Sequence, residues 1–328
     1  MSGCKKVDRL TILTSKDFAP ELSAVLDTPH LLEIIPEQDD ARTARMLLET
    51  DVLVWPEFRP EWRGTQENRR LRLVHSSGAG VDGIDRASLP PGCRVCNVYG
   101  HERALAEMAF MHMLALQKSL FRLDSALRRG DWTTDMRYLP ELRNRNLLIL
   151  GLGHVGSELV RWGQFMGMNV TALTRSPSKE RAEKAGLRTI GSLSELGSHL
   201  GSADFVVVAI PASNETVDMI GEKEFRQMKP SAFLINVGRA LVVNEQALYE
   251  ALRTRRIAGA GLDVWYQYPE GSSDLRLPSR FPIQELDNVI MTPHKPTKET
   301  MAYRWGKIAE NIGRFARGEP LENVVYTA

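Results

Sequence analysis

Three glycines near the middle of the chain have the spacing of a turn that binds a phosphate group. Gly151, Gly153 and Gly156 form a G-x-G-x-x-G pattern between the apolar run 147–150 and a helix-like stretch, which is the context of a dinucleotide site. The first glycine permits a tight turn, the second lets a pyrophosphate approach the backbone, and the third allows the helix to pack closely on the strand. We therefore predict a dinucleotide site. Its expected contact residues are Gly151, Gly153, His154, Val155 and Gly156.

The residues after the following apolar run indicate which dinucleotide binds. Folds that bind NAD(H) place a carboxylate about 20 residues after the glycines, where it accepts hydrogen bonds from the ribose hydroxyls. Here Thr174, Arg175 and Ser176 stand at that position, and Lys179 follows. A guanidinium and hydroxyls suit a 2′-phosphate, which a carboxylate would repel. The sequence therefore favours NADP(H), with NAD(H) as the alternative.

Short apolar runs alternate with helical stretches and must position these motifs. Strands are predicted at 11–14, 52–55, 71–75, 94–98, 147–150, 169–173, 205–210, 233–236, 259–263 and 289–292. Helices are predicted at 156–166, 179–185, 222–228, 245–254 and 299–317. The alternation is typical of βαβ units, and nearly continuous apolar strands indicate sheets that helices cover on both faces. The predicted class is α/β, with two Rossmann-like, doubly wound parallel-sheet domains and a cleft between them.

A longer helix is predicted over residues 104–129, where Gly130 ends it. Apolar side chains recur along it at helical spacing. They are Met108, Met111, Leu114, Leu120 and Leu123. Such a stripe indicates packing in a core or against a second copy of the chain.

The composition excludes several classes of protein. The 328 residues suggest about two domains, and 42 basic against 41 acidic residues give a net charge of +1. This balance lacks the basic excess of a nucleic-acid-binding protein, and 43% hydrophobic residues are too many for a disordered chain. No apolar run reaches the length of roughly 18 residues that a membrane span needs, and we expect no signal peptide. Three cysteines favour a cytoplasmic location.

Cys93 and Cys96 form a C-x-x-C pattern that a redox or metal site could use. They lie in a strand-like segment, where residues three apart face opposite sides. No second pair of ligands follows them. The sequence therefore argues against a redox or metal site.

The ordered motifs resemble the D-isomer-specific 2-hydroxyacid dehydrogenase family, which includes glyoxylate/hydroxypyruvate reductases and phosphoglycerate dehydrogenases. The matching segments are HSSGAGVDGID, NVYGHERALAEMAF, LLILGLGHVG, ADFVVVAIPASNET, MKPSAFLINVGRALVVNEQAL, IAGAGLDV, NVIMTPH and ENIGRFARGEPLENVV. The resemblance implies that residues 1–100 and 296–328 form a flavodoxin-like substrate-binding domain. Residues 101–295 would form the NAD(P)-binding Rossmann domain. It also implies a homodimer that pairs through the 104–129 helix.

The resemblance assigns catalysis to an arginine, a glutamate and a histidine. Arg239 in NVGRA matches the arginine, which binds the substrate carboxylate and carbonyl. His294 in TPH matches the histidine, which exchanges a proton with the carbonyl oxygen. At the glutamate position the segment DVWYQYP has Tyr268 before the proline, and Glu270 two residues later is the alternative partner. A neutral tyrosine can orient the ring but adds no charge, so we expect a lower pKa of His294 than in relatives with the glutamate.

The resemblance also implies contacts to substrate and cofactor. Ala79 and Gly80 match a loop whose backbone N–H groups bind the substrate carboxylate. His101, Arg103 and Lys295 stand beside the implied domain crossings, where they either recognise a second anionic group or are solvated charges. The further cofactor contacts are Ile210, Pro211, Thr216, Val237 and Asp263.

These residues predict a cytoplasmic NADP(H)-dependent enzyme that acts on a small anionic 2-oxo or 2-hydroxy acid. The hydride would pass between the nicotinamide and C2 of the substrate. One alternative, suggested by the missing glutamate, is a dinucleotide-sensing or corepressor-like binding protein. Another is oxidation of an unusual hydride donor such as formate or phosphite.

Overall fold

The computed structural model describes residues 9–63, 70–132, 138–188, 190–269, 274–295 and 297–328. The chain divides into two compact units. One, here called the terminal unit, lies within residues 1–100 and 296–328, and the other, the central unit, lies within 101–295.

Strands and helices alternate along most of the described chain. The strands are β1 (Leu10–Thr14), β2 (His30–Ile34), β3 (Val52–Val54), β4 (Glu57–Phe58), β5 (Leu73–His75), β6 (Gly83–Ile84), β7 (Arg94–Cys96), β8 (Asn146–Leu150), β9 (Asn169–Thr174), β10 (Gly191–Ser192), β11 (Phe205–Val208), β12 (Phe233–Asn236), β13 (Gly259–Leu262), β14 (Val289–Met291) and β15 (Val324–Thr327). The helices are α1 (Ala19–Val25), α2 (Asp40–Leu47), α3 (Glu102–Gln117), α4 (Leu120–Arg128), α5 (His154–Phe165), α6 (Lys179–Lys184), α7 (Leu196–Leu200), α8 (Glu222–Gln227), α9 (Glu245–Arg253) and α10 (Lys298–Arg317).

The terminal unit is built on a sheet with the order β15-β7-β5-β3-β1-β2. Only β15, among the strands described in this sheet, runs antiparallel to its neighbour. Alternate residues of β1 pack on opposite faces, because side chains along a strand alternate. Leu10 and Ile12 pack in a cluster with Trp305 of α10, whereas Leu13 packs in a cluster with Trp62. Apolar clusters therefore cover both faces, as the nearly continuous apolar runs predict.

The central unit is built on a parallel sheet with the order β10-β9-β8-β11-β12-β13-β14. Leu148 and Leu150 pack with Phe225 on one face, and Ile149 packs with Phe110 of α3 on the other. The strand order reverses at β8, since β9 lies on one side of it and β11 on the other. In doubly wound sheets a ligand binds at the carboxyl ends of the strands at such a reversal. The α/β class predicted from the sequence is confirmed.

The prediction of one continuous helix over residues 104–129 was wrong, because α3 ends at Gln117 and α4 begins at Leu120. Ser119, between them, has a left-handed φ of 49°. The side chains at the end of α3 bind the backbone of a distant segment: Gln117 donates to the carbonyl of Glu141, and Lys118 donates to that of Pro140. These tertiary contacts occur at the break between the helices, and no glycine or proline marks that break in the sequence.

The apolar stripe predicted on these two helices is only partly buried in the core. The core side of α3 is formed by Ala106, Ala109, Phe110 and Met113. Met111 and Leu114 are 46% and 36% exposed, and Leu120 on α4 is 52% exposed. Met108 packs partly against the core. Much of the stripe is thus on the surface of this single chain.

Cys93 and Cys96 are free, buried thiols that belong to different apolar clusters. Burial raises the pKa of Cys93 to about 12 and that of Cys96 to about 11. Both thiols therefore stay protonated at neutral pH, which disfavours thiolate chemistry.

The helices of the described segments are all too short or too polar to cross a membrane.

Candidate active site

The carboxyl ends of five parallel strands meet at one edge of the central sheet. The residues that lie side by side there are Leu150, Val208, Asn236, Leu262 and Met291. The loops that follow these residues contain most of the side chains that the sequence singled out.

The glycine turn joins β8 to α5, and its three glycines have different surroundings. Gly151 has a φ of 106°, and a Cβ on it would lie 2.6 Å from the carbonyl oxygen of Ala209. A Cβ on Gly156 would lie 2.0 Å from the carbonyl oxygen of Gly151. A Cβ on Gly153 would meet no described atom within 4 Å. The first and third glycines are therefore required by packing, while the second leaves open space that fits a pyrophosphate at the start of a helix.

A groove of about 490 Å³ adjoins this turn. Gly153, His154, Ser157 and Arg181 are among the residues that line it. The side chain of Val155, in contrast, packs against the apolar core. Of the two residues between Gly153 and Gly156, His154 thus lines the groove, and Val155 is not among its lining residues.

The loop after β9 carries the residues predicted to bind a 2′-phosphate. Thr174 is buried, whereas Arg175 and Ser176 are exposed. Arg181 of α6 donates one hydrogen bond to the carbonyl of Ser176 at 3.0 Å and another to the carbonyl of Leu152 at 2.9 Å. It therefore ties this loop to the glycine turn. The sequence did not single out Arg181, because its charge alone does not distinguish it from the other basic residues of α6.

The loop after β11 packs against the glycine turn. A Cβ on Gly151 would lie 2.7 Å from Cγ2 of Ile210. The buried hydroxyl of Thr216 donates to the carbonyl of Pro211 at 2.7 Å and accepts from the backbone N–H of Ser213 at 2.8 Å, so it braces the loop. Val237, after β12, is also buried.

Arg239 lies in a turn that the side chain of Asn236 shapes. The Asn236 amide donates to the carbonyl of Arg239 at 3.1 Å and accepts from the backbone N–H of Gly238 at 3.1 Å. The guanidinium of Arg239, which is half-buried, donates to the carbonyl of Gly238 at 2.9 Å. The sequence did not single out Asn236. The feature that could have indicated it is a polar residue at the end of a buried strand.

His294 is held at its ring and at its backbone. Nδ1 of the ring lies 2.9 Å from the hydroxyl of Tyr268, which also accepts from the backbone N–H of Trp265 at 3.1 Å. The backbone N–H of His294 donates to Oδ1 of Asp263 at 3.2 Å, and its φ is 52°. Glu270, the alternative partner, lies outside the described residues. The phenol can donate to or accept from Nδ1, so it orients the ring without adding a charge.

Asp263 is the centre of a buried polar chain. It is 2% exposed, and its Oδ1 also accepts from the hydroxyl of Thr292 at 2.5 Å. The same hydroxyl lies 3.2 Å from Nε2 of His112 on α3. The sequence did not single out His112, although an isolated histidine on the apolar helix α3 was the available signal.

Ala79 and Gly80 lie in the terminal unit, in the loop after β5. The hydroxyl of Ser76 donates to the carbonyl of Gly80 at 2.7 Å, and the amide of Asn97 donates to the carbonyl of Ala79 at 2.8 Å. Because C=O and N–H point in opposite directions in a trans peptide, the N–H of Gly80 points away from Asn97. Ser76 and Asn97 thus orient the loop, and the sequence had singled out neither.

His101, Arg103 and Lys295 lie at the ends of the central unit. His101 immediately precedes α3, and Arg103 in its first turn pairs with Glu107 at 3.4 Å on the surface. Lys295 is exposed beside His294. The Arg103 pair is typical of a solvated helix surface.

Residues 110–295 match the family model described as D-isomer specific 2-hydroxyacid dehydrogenase, NAD binding domain. A glyoxylate reductase of Thermococcus litoralis is 32% identical over 267 residues, which cover 78% of this chain and 77% of that protein. A D-3-phosphoglycerate dehydrogenase of Archaeoglobus fulgidus is 33% identical over 264 residues, which cover 79% of this chain and 48% of that protein. The chain thus spans about half the length of the phosphoglycerate dehydrogenase.

The fold is also similar to solved structures. The crystal structure of a D-isomer specific 2-hydroxyacid dehydrogenase family protein from Aeromonas salmonicida has a TM-score of 0.79 and 28% sequence identity. The similarity covers 98% of this chain and 99% of that one.

Proposed function

The chain belongs to the D-isomer-specific 2-hydroxyacid dehydrogenase family, and we propose that it is an NADP(H)-dependent reductase of small 2-oxo acids. The observation that carries the proposal is the position of His294, whose ring is bound by Tyr268 and whose backbone is bound by Asp263. A residue with a left-handed φ that is bound at two points is suited to hold a proton donor in one orientation.

His294 is the proton donor in this proposal. Since its Nδ1 is bound to Tyr268, Nε2 is the ring nitrogen that gives its proton to the carbonyl oxygen during reduction and takes it back during oxidation. A bound nicotinamide supplies or accepts the hydride at C2 of the substrate. Arg239 binds the substrate carboxylate and draws charge from the adjacent carbonyl. We also propose that the terminal unit is the substrate-binding domain, with the Ala79–Gly80 loop as a second contact for the carboxylate.

The cofactor site belongs to the central unit in this proposal. The open side of Gly153 and the start of α5 support pyrophosphate binding. The exposed Arg175 and Ser176, in a loop that Arg181 ties to the glycine turn, support a preference for NADP(H) over NAD(H). The cysteine content supports a cytoplasmic location.

We further propose that two copies of the chain pair through the exposed apolar face of α3 and α4. Met111, Leu114, Leu120 and Phe121 are among its exposed side chains. Exposed apolar patches of this kind mark protein–protein contacts.

The test is a substrate panel with purified protein. The oxidation of NADPH is followed by its absorbance with glyoxylate, hydroxypyruvate and dicarboxylic 2-oxo acids, and NADPH binding is measured separately by fluorescence. We expect turnover of at least one 2-oxo acid. NADPH binding without turnover of any of them would favour the dinucleotide-sensing alternative. Reduction of NADP⁺ by formate or phosphite alone would favour the unusual hydride donor.

A further inference from the structure

We propose that His112 is a positioning residue for this reaction: it donates to the hydroxyl of Thr292, directs that hydroxyl to Asp263, and so keeps Asp263 in place to bind the backbone of His294. The inference rests on the proposed function, because it assumes that His294 exchanges the proton. His112 itself touches neither substrate nor cofactor in this account.

The structure leaves space for the imidazole between α3 and β13. His112 is fully buried, and Gly261 of β13 lies directly against it. A Cβ on Gly261 would lie 2.5 Å from Cβ and 2.8 Å from Nδ1 of His112. Any larger residue at position 261 would therefore displace the ring. Because Gly261 has no side chain, the ring of His112 fits here with its Nε2 at 3.2 Å from Oγ1 of Thr292.

The direction of the hydrogen bonds follows from the number of protons available. The hydroxyl of Thr292 has one proton, and its shortest contact is the 2.5 Å bond to Oδ1 of Asp263. That oxygen also accepts from the backbone N–H of His294, as an ionised carboxylate does. Thr292 therefore donates to Asp263 and can only accept from His112. The proton of the imidazole is accordingly on Nε2.

The other ring nitrogen shows that a histidine at this position lowers the stability of the fold compared with an apolar side chain. Nδ1 is buried and has no hydrogen-bond partner among the described residues. Burial also lowers the pKa of His112, against the attraction of the nearby Asp263 charge, so the ring is neutral at neutral pH. An aliphatic side chain would pack here without an unsatisfied polar atom. The donor on Nε2 is what the histidine adds.

Loss of that donor should act on the orientation of His294 rather than on substrate binding. Without it, Thr292 can turn its proton to the carbonyl of Leu262, which lies 3.4 Å away. Asp263 then loses one of the two hydrogen bonds that hold its Oδ1. The backbone of His294, at a φ of 52°, would lose a fixed acceptor. Misplacement of a catalytic group lowers kcat, whereas the carboxylate contact through Arg239 remains.

The test uses four single variants of the full chain and the double variant His112→Leu with Thr292→Val, measured with NADPH and the preferred 2-oxo acid. His112→Leu removes the donor, and His112→Gln keeps an N–H near the place of Nε2. Thr292→Val breaks the same chain one residue later. Met113→Leu, at the adjacent buried position, is the control for altered packing of α3. Thermal unfolding and NADPH binding are measured for each variant.

We expect His112→Leu and Thr292→Val each to lower kcat about tenfold, with KM for the oxo acid within about twofold of wild type. The double variant should lose no more than either single one, because both break one chain. His112→Gln should recover most of the rate, and Met113→Leu should keep it.

Equal rates for His112→Leu and Met113→Leu, or equal losses for His112→Leu and His112→Gln, would overturn the inference and leave the proposed function intact. If His112→Leu does not fold, an unchanged kcat of Thr292→Val overturns it in the same way. A wild-type protein that binds NADPH but reduces no oxo acid would overturn the proposed function and this inference together.

Discussion

Tyr268 stands at the position where the family resemblance implies a glutamate, so a neutral phenol lies beside His294. The sequence left Tyr268 and Glu270 as alternative partners of the ring. The structure places the Tyr268 hydroxyl 2.9 Å from Nδ1. A phenol can accompany either protonation state of the ring, but it does not stabilise the imidazolium by opposite charge.

This arrangement predicts the response of the pH profile to a carboxylate. In the proposed function, reduction requires the protonated ring of His294, so the rate falls as pH rises through the pKa of that ring. Tyr268→Glu places an anion beside the imidazolium and should raise this pKa, which moves the fall in kcat/KM to higher pH. The measurement is the pH–rate profile of oxo acid reduction. Tyr268→Phe, which lacks both hydroxyl and charge, is the control. A profile that does not move upward in Tyr268→Glu would contradict this account.

The proposed preference for NADP(H) depends most on Arg175. Arg175→Ser should raise KM for NADPH about tenfold and leave KM for NADH nearly unchanged, because it removes one charge-assisted hydrogen bond to the 2′-phosphate. Arg188→Ser, at another exposed arginine of the same unit, is the matched control. Equal changes with NADPH and NADH would show that Arg175 does not read the phosphate.

Several site residues could be predicted at this scale, and several could not. The glycines, Arg239 and His294 stand in local motifs, and each motif follows a strand. Asn97, Arg181 and His112 act through hydrogen bonds to residues distant in sequence. Their partners become known only when the chain has folded, so local spacing contains no sign of them.

At the scale of elements, two glycines of the same turn have different roles. Gly156 is required by packing, whereas Gly153 leaves space for a ligand. Gly156→Ala should lower the free energy of unfolding by roughly 1–3 kcal/mol or more, because its Cβ would overlap the Gly151 carbonyl. Gly153→Ala meets no described atom and should leave stability unchanged, but it should weaken NADPH binding about tenfold or more, since the methyl group occupies the approach of the pyrophosphate. Thermal unfolding and fluorescence titration measure the two effects. Strong NADPH binding by a stable Gly153→Ala variant would refute this site.

The positions of the elements were largely predictable, and the helix break was not. The six strands predicted for the central sheet match the observed ones to within two residues at each end, because buried parallel strands are continuous apolar runs. The two-residue strand β10 was missed. The helical period continues through the break between α3 and α4. Tertiary contacts of Gln117 and Lys118 with the 140–141 segment outweigh local propensity there. The edge strand β2 was missed because it is only half-buried and its pattern is weak.

At the scale of the whole molecule, a net charge of +1 is compatible with sites for small anions. In the proposed function the charges that matter are local: Arg175 binds the 2′-phosphate and Arg239 binds the substrate carboxylate. Balanced charge elsewhere suits a protein that binds small anionic ligands rather than a polyanion.

The exposed face of α3 and α4 predicts the oligomeric state. The wild-type protein should be a dimer in solution, because its exposed apolar side chains need a partner surface. Leu120→Asp with Phe121→Asp should shift the mass measured by light scattering toward the monomer. Phe165→Asp, at an exposed apolar residue on α5, is the control and should remain dimeric. A monomeric wild type would contradict the proposal.

The most direct test of the central claim is the rate of oxo acid reduction by His294→Asn. Asparagine tolerates the left-handed φ of this position, so the variant removes the proton donor and preserves the backbone. We expect NADPH oxidation with the preferred 2-oxo acid to fall by about 10²–10⁴-fold, while NADPH binding by fluorescence titration stays within about twofold of wild type. A variant that binds NADPH normally and reduces the oxo acid at the wild-type rate would contradict the claim.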